Sequence, residues 1–106
     1  MEINEVEEVI RESIQKMQAD GWTIRDRLIL SYDTKLCCPL GAVGVVKGLE
    51  WPMITSNTTR EVFRLGTVWS SMFICGFDGC NVGRHDGEDR PAFELGRKLR
   101  EEFIKG

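Results

Sequence analysis

No run of apolar residues in this chain approaches the roughly 20 that span a bilayer. The opening residues, Met1-Glu2-Ile3-Asn4-Glu5-Val6-Glu7-Glu8, are acidic where a secretory leader would be basic and then apolar. From these two absences no membrane partner and no signal peptide are expected, and the expected location is cytoplasmic. Clustered Lys and Arg are also missing: 14 basic residues against 17 acidic ones leave a formal net charge of −3. Binding along nucleic acid needs a basic stripe that displaces counterions, so no nucleic-acid partner is expected.

The motifs that carry chemistry are absent as well. Gly76-Phe77-Asp78-Gly79 and Gly83-Arg84-His85-Asp86-Gly87 have neither the spacing nor the preceding strand of a phosphate-binding loop. Counting from Asp78, Gly83 and Asp89 fall at the sixth and twelfth places of a calcium loop, but Cys80 and Val82 occupy the third and fifth, where oxygen ligands belong. Cys80 and His85 would make a nucleophile and base only if a rigid scaffold held them, and a glycine-broken loop is a poor holder. No cofactor and no catalytic residue are expected.

Four cysteines are present: Cys37, Cys38, Cys75 and Cys80. In a reducing compartment they read as thiols. Were a metal bound, Cys75, Cys80 and His85 would be its ligands, with Cys37 or Cys38 as a fourth. Against this, adjacent cysteines such as Cys37 and Cys38 rarely both ligate one ion, and Cys75 lies in an apolar helical stretch where a cysteine acts as a small hydrophobe.

Hydrophobic residues at 42% and charged residues at 29% are ordinary for a folded domain, and 106 residues make one domain, 1–106. Asn4 and Glu7 have capping-box spacing, and Val6, Val9, Ile10, Ile14 and Met17 share one face of a helix over 5–20 that stops at Gly21. Residues 22–36 fit either a short helix after Thr23 or an extended segment. The helix is the reading adopted, with a turn at Ser31-Tyr32-Asp33-Thr34. Pro39 suits a first helical position, and a helix from there to about Gly48 carries Gly41, Ala42 and Gly44. Residues that small lower helix propensity, so this helix is expected to be central, buried and crossed closely by another helix.

Trp51-Pro52 interrupts the helical run. Thr58 and Glu61 form a second capping-box pattern leading Val62, Phe63 and Leu65 to a stop at Gly66. Thr67 is the expected cap of a helix with Val68, Trp69, Met72, Phe73 and Phe77. A long polar loop follows over 78–90, and Pro91 opens a last helix with Ala92, Leu95, Leu99 and Phe103 on one face. Its cations Arg97, Lys98 and Arg100 are interleaved with acids and read as a solvated face. The expected fold is all-α, a compact bundle of about five helices with one long polar loop.

Cys38-Pro39-Leu40-Gly41-Ala42-Val43, Gly76-Phe77-Asp78-Gly79 and Ala92-Phe93-Glu94-Leu95-Gly96-Arg97 together resemble a loose group of small uncharacterised proteins from bacteria, phages and mobile gene cassettes. The likeness covers roughly residues 22–104. It implies a shared fold and no activity.

Two functions from different classes fit. The first is a non-catalytic protein-interaction module of a bacterium, phage or mobile element, expected to be a homodimer. It would use the outer face of a helix and loop 49–56, where Trp51 and Met53 stand in an apolar stretch without a helix of its own. The second is a small-ligand- or metal-binding protein using the 76–90 loop and Cys37/Cys38. The expected ligand or partner surface therefore gathers Trp51, Met53, Asp78, Arg84, His85 and Asp86.

Overall fold

The computed structural model describes residues 2–49, 58–79 and 90–104. Helix α1 runs Ile3–Ala19 and buries Val6, Ile10, Ile14 and Met17 on one stripe, as the 3.6-residue period requires. It starts earlier than the sequence suggests. Glu2 holds the N-cap position in extended conformation without a side-chain cap, so Asn4 lies inside the first turn and the expected Asn4–Glu7 box does not form. The Glu7 carboxylate pairs instead with Arg11 at 2.8 Å and Lys98 at 3.0 Å. Gly21, at φ +90°, ends the helix.

Residues 22–37 form short strands joined by bends and a turn, not a helix, which corrects the sequence reading. Strands β1 (Thr23–Ile24), β2 (Leu30–Ser31) and β3 (Leu36–Cys37) form one small sheet in the order β1-β3-β2. β1 runs parallel to β3 and β2 antiparallel to it. Short apolar runs suit either conformation, and here tertiary pairing decides. The backbone N–H of Thr23 donates to Lys35 and that of Arg25 to Cys37, each at 2.9 Å. Arg27 (φ 62°) and Lys35 (φ 53°) adopt left-handed backbone on either side of β2. The expected turn lies at 32–35, and Thr34 Oγ1 donates to Ser31 Oγ at 2.8 Å.

Helix α2 spans Pro39–Val46 and is buried from Pro39 to Gly44, as its composition implied. It packs on α1. The close approach at Gly41, however, comes from the segment just before β2 and not from a helix. A Cβ there would lie 2.0 Å from the Ile29 carbonyl oxygen.

A π-helical turn over Thr59–Phe63 ends at Arg64 (φ 59°), two residues before the expected glycine. Thr58 is itself in helical conformation, so the Thr58–Glu61 box does not form. Its hydroxyl is buried with no partner among the described residues. Helix α3 (Thr67–Asp78) takes Gly66, not Thr67, as N-cap and ends at Gly79 (φ 75°). Trp69, Phe73 and Phe77 are buried along it, with ring centroids 5.5 and 6.4 Å apart. Val68 points away, 62% exposed. Helix α4 (Arg90–Phe103) buries Ala92, Leu95, Gly96 and Leu99 and lies along α3.

Among the described residues there are thus five helical segments and a three-stranded sheet, so the fold is mainly but not purely α. None of these helices is long and apolar enough to cross a membrane.

Candidate functional site

Three elements converge on a pocket of about 190 Å³. The segment 27–29 before β2 forms one wall, the N-terminus of α2 the second, and the C-terminal half of α3 the third. The walls are mostly apolar, from Leu28, Ile29, Pro39, Phe73, Ile74 and Phe77, with Arg27, Cys38 and Asp78 as the polar residues.

Local chemistry fixes each wall. Arg27 takes the left-handed region, uncommon for a side chain of its size, and its backbone N–H donates to Asp78 Oδ1 at 2.9 Å. Beside it Asp26 forms an ion pair with Arg100, which also donates to the Phe77 carbonyl at 2.9 Å. Asp26 and Arg100 are 16% and 31% exposed at their side chains, so water screens this pair only in part. The Arg100 bond holds the Asp26 carboxyl below the ordinary carboxylate range. Arg100 therefore joins the 26–29 segment to the end of α3. This corrects its reading as part of a solvated face.

Cys38 is the N-cap of α2, its Sγ accepting from the Gly41 N–H at 3.3 Å. Burial pushes its thiol up to about 11, with the Asp78 charge adding to the rise against the Gly41 and Leu40 N–H groups. Burial pushes Cys37 up to about 12. Both remain protonated near neutrality, where a thiol is a poor nucleophile. Nearby Asp78 makes one hydrogen bond among the described residues, through Oδ1.

Of the residues expected at a site, the structure brings Asp78 and Cys38 together. Cys37 is buried on β3 and does not line the pocket. Cys75 is half-buried in α3 and does not line it either. Trp51, Met53, Cys80, Arg84, His85 and Asp86 lie outside the described residues, as does most of the 78–90 loop. Among the described residues no three of His, Cys, Asp or Glu are grouped to hold a metal ion.

Sequence reasoning missed Asp26, Arg27 and Arg100. A signal existed for the last: Arg100 stands four residues after Gly96, on the edge of the buried stripe of α4. For Arg27 there was none, since its role is carried by backbone.

Comparison with protein-family models, with curated proteins and with solved structures found no match for this chain.

Proposed function

We propose that this protein is a non-catalytic small-ligand-binding domain whose site is the pocket between residues 27–29, the start of α2 and the end of α3. The observation that carries the reading is the pairing of an apolar enclosure with one partly buried carboxylate, Asp78. Ligand sites are mostly apolar clefts in which a few polar groups set orientation. An apolar void of about 150 Å³ accepts benzene, so this pocket, about 190 Å³, suits a ligand of one substituted ring or a short branched chain. Binding without chemistry is favoured because Cys38, the one thiol facing the pocket among the described residues, is held protonated by its burial.

The test is a thermal-shift series with small monosubstituted benzenes against the unsubstituted protein and Ile74→Trp, which fills the pocket from its α3 wall. A ligand specific for the native state raises the midpoint according to its concentration over Kd. The expected result is a rise in the parent protein and none in Ile74→Trp. Equal rises would place binding elsewhere.

In favour of the homodimeric interaction module stand three exposed apolar side chains, Val68 (62%) on the outer face of α3, Tyr32 (59%) and Ile3 (36%). Single exposed apolar side chains are ordinary on monomers, so the pocket carries the proposal. Molar mass across concentration separates the two readings.

A further inference from the structure

The nature of the ligand follows from which polar groups the pocket leaves unengaged. Helix N-termini commonly bind anions through free N–H groups, and α2 begins at this pocket. Here those groups are already occupied. Pro39 has no N–H, and the Gly41 N–H is directed at the Cys38 sulfur of the same turn, with the Leu40 N–H also acting on that thiol. The Ala42 N–H donates to the Cys38 carbonyl at 2.9 Å. The start of α2 therefore offers no cradle to a phosphate or carboxylate.

The opposite end of the pocket differs. It is the C-terminus of α3, where the helix dipole favours positive charge, and Asp78 stands there as a carboxylate. Its Oδ1 accepts from the Arg27 backbone, and no other hydrogen bond to Asp78 is formed among the described residues. Oδ2 can still accept. Arg100 neutralises Asp26 and caps the Phe77 carbonyl without an ion pair to Asp78. The other cation at the pocket among the described residues, Arg27, has an exposed side chain that water screens.

Resting on the pocket reading above, we propose that the ligand is a small organic ammonium with a compact apolar body, an arylalkyl or branched alkylamine. Its apolar part lies between Leu28, Ile29, Phe73 and Phe77, and its N–H groups donate to Asp78 Oδ2.

Three probes of similar size and different charge test this: benzylamine (an ammonium at pH 7), benzyl alcohol and benzoate. Dissociation constants are measured by NMR titration on the parent protein and on Asp78→Asn, which keeps Oδ1 as acceptor for Arg27. Benzylamine should bind about tenfold more tightly than benzyl alcohol, the scale of one charge-assisted hydrogen bond. Benzoate should bind most weakly. In Asp78→Asn the preference for benzylamine should vanish while benzyl alcohol binds as before. If benzyl alcohol equals benzylamine, or benzoate exceeds it, the ammonium assignment is overturned while the pocket stands. If none of the three binds, the pocket reading fails and this inference with it. Should Asp78→Asn not fold, the ranking on the parent protein decides alone.

Discussion

Gly76 and Gly96 meet at the crossing of α3 and α4, each opposite the other helix's backbone. A Cβ on Gly76 would lie 2.2 Å from the Phe93 carbonyl oxygen, and one on Gly96 would lie 2.3 Å from that of Phe73. The relationship is reciprocal, so neither glycine can gain a methyl group unless the helices separate. The crossing also lies close to the end of α3, where Phe77 and Asp78 enter the pocket. Packing of the two helices and placement of the proposed site are therefore coupled.

Gly96→Ala should lower stability by about 2–3 kcal/mol, at the upper end of ordinary overpacking because the obstructing atoms are backbone. Gly66→Ser is the control: no atom lies within 4 Å of a Cβ at this N-cap, and serine is a preferred cap there. Denaturant midpoints should fall for the first and stay level or rise for the second.

The Asp26–Arg100 contact should make the 26–29 segment sensitive to acid. The Asp26 carboxyl is lowered by Arg100, and those of Glu7 and Glu102 are lowered chiefly by Arg11. Each group binds its proton less readily in the folded state than in the unfolded one. Their stabilisation is thus complete above the ordinary carboxylate range and is lost as pH falls through the lower folded values. Asp26→Asn should cost about 1 kcal/mol at pH 7, and its deficit against the parent should shrink by pH 3. Melting curves at both pH values measure this.

Thr58 carries a buried hydroxyl with no partner among the described residues. Replacing such a group by an apolar isostere removes a desolvation cost without breaking a bond. Thr58→Val should therefore leave the melting midpoint unchanged or raise it. A fall of several degrees would mean that the hydroxyl has a partner in the folded protein.

The thiols of Cys37 and Cys38 should resist modification in native protein at pH 8, since burial keeps both protonated. Peptide mass spectrometry after iodoacetamide treatment should find them unmodified. In denaturant all four cysteines should react. Cys38→Ala should cost about 1 kcal/mol through loss of the α2 cap.

Much of the helical framework was legible because periodicity and end signals agreed. Val6, Ile10, Ile14 and Met17 mark the buried stripe of α1, Pro39 opens α2, and Ala92, Leu95 and Leu99 mark the inner face of α4. The sheet was not legible. Thr23–Cys37 has apolar residues that fit both periods, and only pairing across β3 selects extended backbone. The capping boxes failed for a related reason. The spacing of Asn4 and Glu7 is local, whereas the partner that Glu7 takes across the fold, Lys98, is 91 residues away. Of the site, Asp78 and Cys38 stood out as residue types. Their meeting depends on the left-handed turn at Arg27, which no side-chain pattern encodes.

One pocket, between residues 27–29, α2 and α3, is proposed to bind the ligand. The most direct test is a ¹⁵N–¹H correlation spectrum recorded during titration with benzylamine. Saturable shifts are expected at Leu28, Ile29, Cys38, Ile74, Phe77 and Asp78, with the outer face of α1 around Glu8 and Glu12 unmoved. Shifts spread along the acidic face of α1, or none that saturate, would contradict it.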